Sequence, residues 1–138
     1  MRAPLRSLPV VTVAVLAAWA AGLVTAVPAH ADTVLTHEDW SCAAPYSGAL
    51  QCAPPVSVPP GGYLWIGDDT GGPTVFTVYQ GSEGQQSQVG WIEMTRGEGR
   101  AFTNTTGTAV LVHVTVHEDA PTDRCGSKPE HGFIEVRE

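Results

Sequence analysis

The stretch TAVLVHVTVHE, Thr108 to Glu118, decides how the rest of the chain is read. Val110, Val112, Val114 and Val116 recur at a strict period of two, with Ala109, Leu111, His113, Thr115 and His117 between them. Successive side chains of an extended backbone point to opposite faces, so this alternation in β-branched residues predicts a half-buried strand and not a helix. Its length and regularity place it centrally, with a neighbour on each side.

Outward from that strand, glycine and proline punctuate the chain at short intervals and the pieces between them alternate. Upstream, Tyr63 to Gly67 (YLWIG) reads as a strand turned by DDTGGP, followed by a strand at Thr74 to Gln80 (TVFTVYQ) and a polar loop, GSEGQQSQ. Val89 to Thr95 pairs with Gly99 to Thr103 through the turn RGEG, and NTTG then leads into the central strand. Asn104-Thr105-Thr106 in that turn also fits a glycosylation sequon. Thr33 to Thr36 gives a short first strand, and the proline-rich PPVSVPPGG leaves room for an edge strand at Val56 to Val58, where missing N–H donors do least harm. Phe133 to Val136 (FIEV) closes the series. With no helix-period segment after Asp32, the expectation is an all-β fold. It would be a small antiparallel β-sandwich, or partly open barrel, of about seven to eight short strands.

Residues 1–31 carry Arg2 and Arg6, then the uncharged run Val10 to Val27, then Ala29-His30-Ala31. That is the pattern of a secretory signal peptide cleaved before Asp32, and it implies a secreted, extracellular domain over residues 32–138 with no membrane attachment after cleavage. Of the seven basic residues, five follow residue 31, against all fourteen acidic ones, so the mature charge is −9. Such a surface repels phosphate backbones and anionic headgroups, which sets aside nucleic acid and membrane surfaces as partners.

An oxidising compartment favours a disulfide, and Cys42 and Cys52 flank a turn-rich loop, AAPYSGALQ. Closing it stabilises the fold by about 2 to 3 kcal/mol on the chain-entropy estimate. Pairing of either with Cys125 stays open on sequence grounds. One thiol is left over in every case, which allows a disulfide-linked dimer.

Catalytic and metal motifs give little. Ser82 in QGSEG does not make the G-x-S-x-G elbow and lacks its strand-turn-helix setting. His113 and His117 resemble an H-x-x-x-H pair, but on a strand four residues span about 13 Å, too far for one ion. His37, Asp39, His117 and Asp119 could meet only if the first strand lay beside the central one. No metal or cofactor is expected, and no motif is positive evidence for an enzyme.

The aromatics are the main functional hint. Burying Leu64, Ile66, Phe76, Val78, Ile92, Met94, Phe102 and the four valines together turns Tyr63, Trp65, Tyr79 and Trp91 outward. An exposed cluster of four rings would mark a binding surface. The functional expectation is a secreted, non-catalytic binding module whose partner is a polysaccharide or an extracellular protein. The alternatives are a protease inhibitor presenting the Cys42–Cys52 loop and a small extracellular hydrolase.

Overall fold

In the computed structural model, which describes residues 32–82, 85–120 and 125–138, alternation of apolar and polar positions resolves into seven strands. They are β1 (Val34–Pro45), β2 (Leu50–Gln51), β3 (Val56–Val58), β4 (Tyr63–Gln80), β5 (Ser87–Thr103), β6 (Val110–Glu118) and β7 (Ser127–Arg137). The proposed signal peptide, residues 1–31, lies outside the described residues. All seven strands pair antiparallel in one sheet of order β1-β7-β4-β6-β2, with β3 also on β6 and β5 also on β4. The sheet is nearly closed into a barrel, and the described residues contain no helix.

β4 organises the barrel because it has three partners. Its first half runs beside β7, from Tyr63 opposite Arg137 to Asp68 opposite Gly132. Its second half runs beside β6, from Thr74 opposite Glu118 to Gln80 opposite Val112. β5 follows both halves along the other edge. Two expected turns are therefore strand interior. DDTGGP is a wide bulge, in which Asp68 to Pro73 span only Gly97 to Thr95 of β5. RGEG does not fold β5 into a hairpin, since the segments on both sides of it pair with β4. The reason is backbone freedom. Gly72, Arg96 and Gly97 all take positive φ, and glycine there lets a strand bend round a corner as readily as it lets a hairpin reverse.

The bulge preserves parity, so 64, 66 and 68 face inward with 74, 76 and 78. β6 is central as read, with β4 on one side and β2 and β3 on the other. Leu64, Ile66, Phe76, Val78, the four valines, Ile134 and Val136 are buried. Trp40 of β1 packs edge-on against Phe76 with ring centroids 5.4 Å apart. Burial of a side chain such as Phe76 contributes roughly 2 to 3 kcal/mol. Ile92, Met94 and Phe102 sit half-buried at the margin of this core.

Three local features matter later. Cys42 and Cys52 are joined, with Cα atoms 5.6 Å apart, and Cys125 is a free, exposed thiol. Asn104 is buried, and its amide donates to the carbonyls of Val58 and Thr108 at 2.9 and 2.8 Å, which makes it a turn-former with its nitrogen occupied. Thr33 and Glu138 exchange two backbone hydrogen bonds, 2.8 and 3.0 Å, next to the β1–β7 edge.

Candidate binding face

Tyr63, Trp65, Tyr79 and Trp91 all sit at outward positions, but they do not form one exposed cluster. Tyr63 is only 5% exposed, because the Arg100 guanidinium of β5 lies 3.9 Å over its ring centroid. Trp65 is half-buried under Arg137 of β7, at 4.6 Å, and its Nε1 donates to Glu98 at 3.1 Å. The two rings meet edge to face at 6.2 Å. Each cation–ring contact of this kind contributes about 0.5 to 1 kcal/mol.

The cover is itself fixed. Arg137 Nε donates to Glu135 Oε2 at 2.7 Å, and His37 Nδ1 lies 2.8 Å from Glu135 Oε1. His37 Nε2 lies 3.2 Å from Asp39, and its ring stacks on Phe133. The hydrogen bond to Glu135, then that to Asp39, pushes the His37 pKa up. Burial alone would raise Glu135, but its bonds from His37 and Arg137 outweigh that and hold its carboxyl below the usual range. This half of the outer face is sealed by the protein's own charges. His37 and Asp39 are spent there too. β1 pairs with β7 and not with β6, so they do not join His117 and Asp119. Among the described residues no group of three or more His, Cys, Asp or Glu is placed to hold a metal ion.

The second half of β4 is different. Its outward residues Val75, Thr77 and Tyr79 lie beside His117, Thr115 and His113 of β6. Trp91, 59% exposed, sits across from Thr77 on β5, and Gln51 of β2 sits across from Thr115. The Tyr79 and His113 rings stack, with centroids 5.6 Å apart and planes 17° from parallel. Two concavities lie along this face. One, of about 550 Å³, has Thr77, Tyr79, Thr115 and His117 in its lining and is walled by Tyr46 to Ala49. The other, of about 600 Å³, is lined by Gln51, Pro55, Gly81, Ser82, Gln86, Leu111 and His113. From His117 to Leu111 the floor of the pair runs about 20 Å along β6. The Tyr46 wall is anchored by the Cys42–Cys52 disulfide and by a backbone bond from Tyr46 to Gly126, 3.1 Å. Neither lining contains lysine or arginine.

Two polar atoms buried beneath this floor lack hydrogen-bond partners within the protein. They are His113 Nε2, on a side chain 8% exposed, and the Thr115 hydroxyl two residues along the same face. Leaving such an atom unpaired costs about 1 to 3 kcal/mol, and native structures tolerate few of them. A flat ring pair with hydroxyl and amide groups, and with Glu118 and Asp119 at one end, can stack against an apolar face and exchange hydrogen bonds. The expectation named Tyr79 and Trp91 here but missed His113, Thr115, Thr77, Gln51 and Tyr46. The signal for the first two was in Thr108 to Glu118 itself, on the face opposite the valines. No family model, no curated protein and no solved structure matches this chain, so the reading of this face rests on its geometry.

Proposed function

We propose that the protein is a secreted, non-catalytic module that binds a neutral polysaccharide along the outward face of β4 and β6. The observation that carries this reading is the stacked Tyr79–His113 ring pair lying between two neighbouring concavities on that face. A pyranose chain offers alternating apolar faces and hydroxyl groups, which suits rings interleaved with Thr77, Thr115 and Gln51. A floor of about 20 Å suits a polymer better than a compact molecule. The absence of lysine and arginine from the lining, on a chain of mature charge −9, disfavours anionic polymers. Trp91 lies at the rim, where a longer ligand would reach it.

The test is tryptophan fluorescence and pull-down of the mature chain against insoluble neutral polysaccharides, including chitin and α- and β-glucans. Binding is expected to change little between low and high salt, because stacking and neutral hydrogen bonds are weakly screened. Tyr79→Ala and His113→Ala are each expected to weaken binding about tenfold or more, on the scale of one lost stacking or hydrogen-bond contact. Trp65→Ala is expected to leave binding unchanged. Equal affinity in wild type and both groove variants would sink the proposal.

A further inference from the structure

The inward faces of three strands end in charge at one end of the barrel. Asp68 continues the inward series of Leu64 and Ile66, Glu118 continues the four valines, and Glu130 continues Ile134 and Val136. Asp68 and Glu130 are each 1% exposed and Glu118 is 5% exposed. A single lysine serves Glu118 and Glu130, while Asp68 Oδ1 accepts from the Thr70 backbone and hydroxyl. Lys128 Nζ lies 2.7 Å from Glu130 Oε1 and 3.5 Å from Glu118 Oε1, and it donates to the Gly71 carbonyl. The buried Thr74 hydroxyl donates to the other Glu118 oxygen at 3.4 Å. A Cβ at Gly72 would press on Lys128 Nζ and the Glu118 carboxylate and displace those side-chain ends.

This is a poor place for separated charges. Burial, together with the charges of Asp68 and Glu118, pushes the Glu130 pKa up against the opposing pull of Lys128, while the hydrogen bond to Glu130 raises the Lys128 pKa in turn. Neither Glu130 oxygen has a well-directed hydrogen bond, and Asp68 Oδ2 has no partner. Each ion of a buried pair carries a desolvation penalty that the mutual attraction only partly offsets. Replacing one positive and one negative group by a neutral amide removes that penalty.

We propose that Lys128 and Glu118 condense into an isopeptide bond that ties β7 to β6 inside the barrel. The Lys128 ammonium passes a proton to Glu130, and the free amine attacks the Glu118 carboxyl carbon. Thr74 supports the developing negative charge on Oε2. Glu130 delivers that proton to the departing oxygen, takes a second proton from Nζ of the tetrahedral adduct and passes it to the same oxygen, which leaves as water. One C–N bond forms and one C–O bond breaks, Nζ keeps one hydrogen, and one water leaves. One positive and one negative charge disappear together, and neither an oxidant nor an activating cofactor takes part. The fold contributes by holding amine and carboxyl together, which replaces a bimolecular encounter by a positioned one.

The experiment is denaturing mass spectrometry of the reduced, purified protein beside its Lys128→Arg variant. Arginine keeps the positive charge at this position but does not condense with the carboxyl. Wild type is expected to weigh one water less than the substitution alone explains, and fragment-ion spectra are expected to show a branch joining Lys128 to Glu118. Glu130→Gln is expected to restore the full mass, and because mass is read on unfolded chains, a folding defect in that variant leaves the wild-type result standing. A full-mass wild type would show an ion pair only and overturn the proposal. So would a water loss retained by Lys128→Arg, or a branch located at any other carboxyl.

Discussion

The two halves of β4 both carry outward aromatics, Tyr63 and Trp65 in the first and Tyr79 beside Val75 and Thr77 in the second, and end in opposite states. Around Tyr63 and Trp65 the neighbouring strands supply Arg100 and Arg137, and each ring lies beneath a guanidinium. Around Tyr79 the neighbour supplies His113, which stacks on it, and Thr115, and both line concavities that no cation covers. The difference is made by residues distant in sequence, Arg100 and Arg137 in one half and His113 and Thr115 in the other, which meet β4 only through the folded register. An outward ring is a surface only when nothing else in the fold has claimed it.

The largest expected effect tests the frame both halves share. Val114→Asp would bury an unpaired charge at a position 2% exposed, and loss of the folded state is expected, read by circular dichroism and a missing thermal transition. A cooperative transition near the wild-type midpoint would mean that the interior at β6 is not the core.

The next effect should fall on the groove side alone. Replacing Cys42 and Cys52 by serine releases the anchor of the Tyr46 wall. It is expected to cost about 2 to 3 kcal/mol in denaturant unfolding and to weaken the proposed polysaccharide binding, which Trp65→Ala leaves unchanged. A stability loss with full binding would separate the wall from the site.

A smaller effect belongs to the sealed half. Arg137→Ala uncovers Trp65 and leaves Glu135 with one partner fewer, for an expected cost of about 1 to 2 kcal/mol. Red-shifted tryptophan emission should accompany it, with no change in binding. Unchanged emission would mean that Arg137 does not cover the ring.

The smallest effect is on pH. His37 has a raised pKa in the fold, so its contribution is complete below the ordinary value of about 6.5 and is lost as pH rises through the folded value. Glu135 has a lowered one, so its contribution is complete above the ordinary value of about 4.3 and is lost as pH falls through the folded value. The melting temperature should therefore lie on a plateau between these limits and decline gently on the alkaline side. His37→Gln should remove that decline, and an identical alkaline slope in the variant would dissociate His37 from it.

Much of this was legible because period-two alternation survives folding. Thr108 to Glu118 announced β6, the valines between prolines announced β3, and the short Cys42–Cys52 spacing announced the disulfide. Asp68 to Pro73 and Arg96 to Gly99 were misread because glycine serves hairpin turns and corner bulges through the same backbone freedom. Extended through Glu118, Asp68 and Glu130, the inward series would have exposed the charged end of the barrel. They break off in sequence where hydrophobicity stops, although the strands do not. The cation covers were beyond reach, since nothing local to Tyr63 or Trp65 specifies Arg100 or Arg137.

The paired Thr33 and Glu138 have a mechanical consequence. They sit at the same end of the antiparallel β1–β7 ladder, where Val34 opposes Arg137. A pull applied between these two residues opens that ladder like a zip, loading one or two hydrogen bonds at a time, each worth only about 1 kcal/mol net. The same pull along opposed strand directions would have to shear the whole ladder at once. Under tension the domain should therefore yield first along this seam, at low force, while β4, β5 and β6 remain folded.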